Sequence, residues 1–352
     1  MSIMVGVGRA AKLGVLYKNG DAIERAGKIT TLVLDKTGTI TQGKPQVSQV
    51  HFVEAENTEL DMNDLAIIAS IEAVSEHPLA EAIVSYLQQQ YAVTQFEIEN
   101  FNATVGKGVS AQCQGKHVLI GNLTWLKTNG VELDNNSVPE QIHQQANTLV
   151  YVAVNQKLHS VFCIEDKIRD DSLTSIQTLQ QQGIDIVMLT GDNQAVANKV
   201  AKSLGINQVY AELSPVDKRD IIAQIKHQQP QSIIAMVGDG INDAPALAAA
   251  DIGLAMGQGT DIAMQSADIV LMHGSLSTVI DAIAVSQATY TNIKQNLFAA
   301  FAYNSAAIPI AAGVLYPSLG FILNPMIAGL AMALSSVTVV LNANRLRAKK
   351  LD

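Results

Sequence analysis

Short apolar runs recur along the chain, and each is followed directly by glycine or a polar residue. They cover residues 29–34, 161–164, 184–189 and 232–237, and a further run, 149–154, falls within the insertion described below. Runs of this length, rich in β-branched side chains, are typical of strands that are buried on both faces of a parallel sheet. The pattern predicts an α/β fold of the Rossmann type, in which the polar residues after the strands meet at one edge of the sheet.

A long interval after the first strand predicts an inserted α+β domain over residues 51–160. Within it, the periodicity of apolar residues predicts helices over 60–73 and 79–91. Two strand patterns that contain glycine turns follow at 101–109 and 118–122. An insertion of this size can fold around a core of its own.

Two apolar runs near the end of the chain, 297–316 and 319–341, carry no charged side chain. Each is close to the ~20 residues that cross a bilayer as a helix, and only 317–318 separate them, so we expect a transmembrane hairpin. Lys294 precedes the first run. The basic residues that follow the second run are Arg345, Arg347, Lys349 and Lys350. The positive-inside rule therefore predicts a multi-pass protein of the cell membrane, with the lipid bilayer as a partner and the other domains in the cytoplasm.

The composition of the 352 residues supports a chain that lies partly in lipid. Charged residues make up 16%, against roughly 25% in an average soluble protein. The net charge of −9 argues against a nucleic-acid partner, because a basic surface is needed to neutralise phosphates. Cys113 and Cys163 are too few and too isolated for a disulfide framework or a Cys-x-x-Cys metal site. We expect residues 1–28 to form the end of a membrane helix and a connector.

Asp35 follows the first apolar run and begins the most informative stretch of the chain. Alone it could be a turn or cap residue, but the residues that follow it favour a catalytic role. Lys36 adds a cation, Thr37 and Thr39 add hydroxyl groups, and Gly38 lets the backbone approach an anion. Such a loop suits a carboxylate that attacks a phosphoryl group.

Three later segments can contribute to the same edge of the sheet. Thr190, Gly191 and Asp192 join a strand to a helix, which is either an anion site or a plain turn. Residues 238–243 place two aspartates, an asparagine and two glycines after a strand, a set of oxygen ligands suited to Mg²⁺. Lys218 begins a helix and, without context, would be a solvated charge.

Residues 35–41 resemble the phosphorylation signature of P-type ATPases, whose catalytic domain is of the haloacid dehalogenase type. The resemblance implies that ATP phosphorylates Asp35 and that Lys218 offsets the charge of the phosphoaspartate. It also implies a Mg²⁺ ion held by Asp35, Asp239 and the main-chain carbonyl of Thr37. The other residues of the implied site are Lys36, Thr190, Gly191, Asp192, Asn242 and Asp243. Related phosphatases carry a second aspartate where Thr37 stands, so we expect the phosphoaspartate to persist.

A second resemblance lies in the predicted insertion. Glu72, His77 with the proline after it, Gly106, Gly108 and the Gly-Asn pair at 121–122 are similar in type and order to the nucleotide-binding domain of heavy-metal (class IB) P-type ATPases. The resemblance implies that Glu72 and His77 lie beside adenine and that the glycines let the backbone approach ATP. Taken alone, His77 could be a helix cap, and paired glycines occur in many turns.

Polar residues within the two apolar runs are candidates for binding the transported ion. Tyr303 and Asn304 lie in the first run, and Met332, Ser335 and Ser336 lie on one face of the second. Each could serve only in helix packing. Together they resemble the signatures of the copper(I)-transporting subgroup, and a thioether with neutral oxygen ligands suits a soft monovalent ion. The implied cargo is Cu⁺, with silver as the alternative.

The resemblance covers the C-terminal half of such a pump. A Cys-Pro-Cys membrane helix, a Thr-Gly-Glu actuator loop and an N-terminal metal-binding domain do not occur in these residues. We expect the missing half, with its actuator domain, and a copper chaperone as partners. We expect the chain to be a fragment, a truncated product or one part of a split pump. Alone it should bind ATP and phosphorylate Asp35 without transporting.

The expected domain order follows from these motifs. The predicted boundaries are 1–28 for the connector, 29–50 and 161–287 for the phosphorylation domain, 51–160 for the nucleotide-binding domain and 288–352 for the membrane hairpin. Asp166 either supports domain movement, as the resemblance implies, or forms a surface salt bridge. Two other functions stay open: a phosphatase of the same catalytic fold, which Thr37 disfavours, and a nucleotide-binding module without enzymatic activity.

Overall fold

A computed structural model describes residues 1–53, 61–104, 106–131, 148–239, 241–257, 261–314, 317 and 324–349. The chain forms two compact units. Unit 1 contains Met1–Ile40 and Arg169–Asp352, and unit 2 contains Thr41–Ile168. The chain thus leaves unit 1 once, builds unit 2 and returns.

Between Ser172 and Leu271 the described helices and strands alternate along the chain, as the apolar pattern predicts. The helices are α1 (Ser2–Lys12), α2 (Gly20–Ala26), α3 (Met62–Glu72), α4 (Pro78–Gln90), α5 (Leu123–Thr128), α6 (Ser172–Gln181), α7 (Gln194–Leu204), α8 (Pro215–Gln228), α9 (Ala244–Ala249), α10 (Asp261–Ser266), α11 (Ser277–Ala311) and α12 (Pro325–Arg345). The strands are β1 (Val15–Tyr17), β2 (Thr31–Asp35), β3 (Thr41–Phe52), β4 (Glu99–Thr104), β5 (Gly108–Cys113), β6 (Lys116–Gly121), β7 (Thr148–Val154), β8 (Lys157–Ile168), β9 (Asp185–Leu189), β10 (Gln208–Tyr210), β11 (Ile234–Gly238), β12 (Ile252–Met256) and β13 (Ile269–Leu271).

Unit 1 is built on a seven-stranded sheet in the order β1-β13-β12-β11-β2-β9-β10. All neighbouring pairs are parallel except β1 with β13. Strands β2, β11 and β12 are buried at every residue, which explains why their sequences are continuously apolar. β2 lies in the middle of the sheet, between β11 and β9. The residues that follow these three strands therefore emerge side by side.

The beginning of the chain differs from the predicted connector. Val15 and Tyr17 are buried, because β1 pairs with β13 as the antiparallel edge strand of the sheet. The hydroxyl of Tyr17 also donates a hydrogen bond to the carbonyl of Ala282 at 2.7 Å. Residues 15–26 are thus part of the folded core of unit 1. A strand of three residues is too short to give a recognisable period in the sequence.

Unit 2 contains an antiparallel sheet in the order β3-β8-β7-β6-β5-β4. Along β6, Val118 and Ile120 face a core formed with α3 and α4, whereas Leu119 faces a second core that includes Trp125 of α5. The unit spans 41–168 and is wider than the predicted insertion, because β3 and β8 pair with each other over most of their length and belong to this sheet.

The predicted hairpin is described in part. α11 begins well before the apolar run, and its first half packs on α1 and α2 with Val279 and Ile283 buried. Among the described residues, one helix, Met326–Arg345, is long and apolar enough to cross a membrane. Residues 315–316 and 318–323, where the connection is predicted, and Lys350 lie outside the described residues.

Candidate active site

Three neighbouring strands bring the predicted catalytic residues to one edge of the sheet in unit 1. Asp35 is the last residue of β2, and its register partner on β9 is Leu189, which Thr190 follows. On the other side of β2, β11 ends at Gly238 and is followed by Asp239. Asp35, Thr190 and Asp239 therefore lie at the carboxyl ends of adjacent parallel strands, where open α/β sheets place their ligands.

Lys218 joins this group from α8. The helix begins with a capping box formed by Ser214 and Asp217, which fixes its first turn against the sheet edge. The ammonium group of Lys218 donates to Oδ1 of Asp35 at 2.6 Å and to Oδ1 of Asp243 at 2.8 Å. All three side chains are buried. Lys218, which the sequence alone suggests is solvated, is therefore enclosed between two carboxylates.

The pKa values of the buried carboxyl groups in this cluster are raised. Burial, with the carboxylate of Asp243, raises the pKa of Asp35 to about 7 against the opposing effect of Lys218. Burial also raises the pKa of Asp239 to about 6. For Lys218, burial would lower the pKa, but Asp35 and Asp243 together raise it. Since one lysine is shared among several carboxylates, a further cation would stabilise their ionised forms.

The carboxylates can hold a divalent ion. One oxygen from each of Asp35, Asp239 and Asp243 lies within 4.8 Å of the others. These are hard oxygen ligands of the kind that Mg²⁺ prefers. Both carboxylate oxygens of Asp243 already accept hydrogen bonds: Oδ1 accepts from Lys218, and Oδ2 accepts from the amide of Asp239 at 3.3 Å. Asn242 is exposed in the turn before it, and Gly240 lies outside the described residues.

The loop after β2, Lys36–Ile40, is shaped by close contact with Asp239. Gly38 has a φ of 73°, and a Cβ placed there would lie 1.6 Å from Oδ2 of Asp239. Glycine is therefore required both by the left-handed backbone and by the absence of space. Lys36 is buried and forms an ion pair with Asp192.

The loop after β9 is ordered by its own side chains. The hydroxyl of Thr190 accepts from the amide of Asp192 at 3.1 Å, and the loop continues through Gly191 into α7. Asn193 caps that helix by accepting from the amide of Val196 at 2.9 Å. Thr190 is buried, and Asp192 is partly exposed and paired with Lys36 of the loop that follows Asp35.

Arg169 is a site residue that sequence analysis did not single out. Its guanidinium donates to the carbonyl of Gly38 at 2.7 Å and to that of Thr39 at 3.2 Å. In the sequence it stands in a charged stretch that suggests only a surface salt bridge. Asp166, three residues earlier in the sequence, belongs to unit 2, where it accepts from the hydroxyl of Thr41 and from the amides of residues 43 and 44. Asp166 therefore orders the start of β3.

The predicted adenine-binding residues lie in unit 2. Glu72 is 5% exposed, and burial raises the pKa of its carboxyl group to about 7. His77 is exposed and caps α4, with Nδ1 accepting from the amide of Leu79 at 3.2 Å. The cap interpretation of His77 is therefore correct as a structural role. It leaves the other ring nitrogen available for contact with a ligand.

The two predicted glycines differ in their surroundings. Gly106 has a φ of 70°, and a Cβ there would meet nothing within 4 Å, so its backbone is open to approach. A Cβ on Gly108 would lie 2.3 Å from the carbonyl oxygen of Ile120 and 2.6 Å from the ring of Trp125. Packing within the sheet thus explains Gly108 without a ligand.

The candidate copper residues lie on α11 and α12. Tyr303, Asn304 and Met332 are exposed, and the hydroxyl of Ser336 donates to the carbonyl of Met332 within the same helix at 3.2 Å. Ser335 is half-buried. Among the described residues, no hydrogen bond joins Tyr303 or Asn304 to the three candidate residues on α12.

The Rossmann-type sheet and the carboxylate–lysine cluster at its edge define the class of this protein: an α/β enzyme of the haloacid dehalogenase type. The family model for haloacid dehalogenase-like hydrolases matches residues 29–251. The chain is 46% identical to a copper-exporting P-type ATPase of Vibrio cholerae serotype O1, covering 100% of this chain and 38% of that protein. It is 44% identical to a silver exporting P-type ATPase of Salmonella typhimurium, covering 100% of this chain and 42% of that protein.

Structural comparison agrees with these matches. The crystal structure of a zinc-transporting PIB-type ATPase in the E2.Pi state has a TM-score of 0.80 and 34% identity, over 98% of this chain and 54% of that chain. The chain belongs to the haloacid dehalogenase-like hydrolase family, and over its whole length it is similar to P-type ATPases. It spans less than half the length of the curated relatives that it matches. The predicted fold class and family resemblance are confirmed.

Proposed function

We propose that this chain is the ATP-binding and phosphorylation half of a copper(I)-exporting pump that works through a phosphoaspartate at Asp35. The observation that carries the proposal is the pairing of buried Asp35 with Lys218 at the carboxyl edge of the sheet. Homology to copper-exporting P-type ATPases supports it.

In this reaction a carboxylate oxygen of Asp35 attacks the γ-phosphorus of ATP. The new bond is an acyl phosphate, the bond to the β-γ bridging oxygen breaks, and ADP leaves with the electron pair. Lys218 is already hydrogen-bonded to Asp35 and offsets the charge that the phosphoryl group brings. Mg²⁺, when bound by Asp35, Asp239 and the carbonyl of Thr37, would neutralise charge on the phosphoryl oxygens. Thr190 and Asn242 complete the polar surroundings.

The lifetime of the product depends on Thr37. A threonine at this position lacks the carboxyl group that could activate water, so the acyl phosphate persists long enough to be coupled to ion movement. In unit 2, Glu72, His77, Gly106 and Gly108 bind the nucleotide. The exposure of His77 and the open backbone at Gly106 support this assignment.

The cargo is Cu⁺, bound by Tyr303, Asn304, Met332, Ser335 and Ser336 together with groups of the other half of the pump. Silver is the alternative cargo, because Ag⁺ shares the softness of Cu⁺ and the Salmonella relative is a silver exporter. The complete assembly is a multi-pass membrane pump with cytoplasmic catalytic domains. Its partners are the bilayer, the missing half with the actuator domain and Cys-Pro-Cys helix, and a copper chaperone.

Labelled phosphate tests the enzymatic step. The full chain in detergent is mixed with Mg²⁺ and ATP labelled at the γ position, then quenched in acid. We expect acid-stable label in the native chain and none in Asp35→Asn. Asp185→Asn is the matched control, because Asp185 is exposed at the opposite end of the sheet, and it should incorporate label normally. Label in Asp35→Asn would contradict the proposal, and rapid release of phosphate from small phosphomonoesters would favour a phosphatase.

A titration with Cu⁺ tests which ion the chain binds. Met332→Leu keeps an apolar side chain and removes the thioether, whereas Met326→Leu makes the same change at another exposed position of α12. We expect Met332→Leu alone to weaken binding of Cu⁺, measured by competition with a chromogenic chelator. The same titration with Ag⁺ compares the two ions. Equal affinity in both variants would contradict the assignment of Met332.

A further inference from the structure

Three consecutive carbonyl groups of the loop after Asp35 are hydrogen-bonded to one short segment. Arg169 binds the carbonyls of Gly38 and Thr39 through its guanidinium. The carbonyl of Ile40 accepts from the amide of Arg169 at 3.0 Å and from the hydroxyl of Ser172 at 2.8 Å. Ser172 is buried, and Arg169 is half-buried. The backbone of the phosphorylation loop is thus held along its second half by residues that are remote in sequence.

The other side of the loop is in contact with Asp239. Oδ2 of Asp239 occupies the position next to Gly38 that a Cβ would otherwise fill. Gly38 therefore lies between Asp239 and Arg169, and its carbonyl is fixed by the guanidinium at 2.7 Å. A shift of the Gly38 carbonyl would change the position of Thr37, the preceding residue, relative to Asp239.

We infer that Arg169 is a positioning residue for phosphoryl transfer: it holds the Gly38–Thr39 backbone so that Asp239 and the carbonyl of Thr37 meet in the geometry that Mg²⁺ requires. This inference rests on the proposed phosphorylation of Asp35. Two carbonyls bound by one planar guanidinium define an orientation, which a single ammonium group could not reproduce. Groups behind a metal site commonly govern its affinity in this way.

The positive charge of Arg169 and its positioning of the loop have opposite effects on the affinity of the site for Mg²⁺. A positive guanidinium near Asp239 disfavours a second cation there, so a purely electrostatic role predicts that its removal tightens Mg²⁺ binding. A positioning role predicts that removal weakens Mg²⁺ binding. The two roles can therefore be separated by the sign of the change.

The test compares Arg169→Gln, which removes the charge, with Arg169→Lys, which keeps the charge and loses the paired hydrogen bonds. Arg219→Gln is the matched control, because Arg219 is exposed and paired only with its neighbour Asp220 among the described residues. The full chain is used throughout. Phosphorylation rate is measured against Mg²⁺ concentration, and Mg²⁺ affinity is measured by calorimetry without ATP.

We expect both Arg169 variants to phosphorylate about tenfold more slowly and to need about tenfold more Mg²⁺, with Arg219→Gln unchanged. Native behaviour of Arg169→Lys, or tighter Mg²⁺ binding by Arg169→Gln, would overturn the inference. If an Arg169 variant does not fold, Ser172→Ala takes its place, because it loses only the hydroxyl bond to Ile40. It should raise the required Mg²⁺ concentration by a smaller factor than the Arg169 variants. An unchanged Mg²⁺ requirement in Ser172→Ala would overturn the inference. If the native chain takes no label, the proposed function fails, and calorimetry still decides the role of Arg169.

Discussion

The ammonium group of Lys218 lies 2.6 Å from Oδ1 of Asp35, and both side chains are buried at the carboxyl edge of the sheet. The same ammonium group lies 2.8 Å from Asp243. One cation thus serves two carboxylates, with Asp239 beside them as a third. Lys218 opposes only part of the effect by which burial and Asp243 raise the pKa of Asp35, so the site remains short of positive charge.

Replacing Lys218 should destabilise the fold in a manner that depends on pH. Lys218→Met leaves Asp35 and Asp243 buried without their cation, a change that costs about 3 kcal/mol when both are ionised. Burial raises the pKa of Asp35 to about 7, so at low pH this carboxyl group is protonated in the folded state and the loss should shrink. Urea unfolding at about pH 5 and about pH 8 measures both values. Lys202→Met, at an exposed position of α7, is the control. An equal loss at both pH values would contradict the pairing.

Gly38→Ala should abolish Mg²⁺-dependent phosphorylation. The added methyl group would overlap Oδ2 of Asp239, and the backbone at φ 73° disfavours alanine. Gly183→Ala is a matched control, because its φ is 80° and its Cβ would meet nothing within 4 Å. Both variants should lose about 1 kcal/mol of stability for the backbone, but only Gly38→Ala should lose activity. Equal phosphorylation by the two variants would show that the contact with Asp239 is unimportant.

Glu72 should make unit 2 less stable as pH rises. Burial raises the pKa of its carboxyl group from 4.5 to about 7. The folded state therefore keeps a proton that the unfolded state has released, and stability falls as pH rises between these two values. The penalty is absent below about pH 4.5 and complete above about pH 7, where it reaches about 3 kcal/mol.

Glu72→Gln removes this penalty, since the amide does not ionise. The variant should be more stable than the native chain at about pH 8 and similar to it at about pH 4.5, as measured by thermal unfolding at each pH. Glu81→Gln, at an exposed position of α4, is the control. A difference between Glu72→Gln and the native chain that does not change with pH would contradict a buried, protonated Glu72.

Much of unit 1 could be predicted because its signals are local. The buried strands are continuously apolar, and each ends in a loop whose polar residues are adjacent in sequence, as at Asp35, Thr190 and Asp239. Parallel pairing of β2 with its neighbours then places these loops side by side. The family resemblance added the roles of these residues, which remain predictions.

Features that depend on remote contacts were not visible in the sequence. Arg169 and Gly38 are far apart in the chain, and nothing in the charged stretch around Arg169 indicates that its guanidinium binds backbone carbonyls. A group of hydrogen-bonded polar side chains at the end of the predicted membrane hairpin is a second example. The side-chain amide of Asn296 donates to Ser2 at 3.0 Å, and that of Asn342 donates to Asn296 at 2.9 Å, joining α1, α11 and α12.

The phosphoryl group should be carried by Asp35 itself. Mass spectrometry of acid-quenched chain after reaction with ATP and Mg²⁺ measures this directly, with peptides kept at low pH so that an acyl phosphate survives. We expect one added phosphoryl group, located on Asp35 and lost on treatment with hydroxylamine. A phosphoryl group on any other residue, or one that resists hydroxylamine, would contradict this expectation.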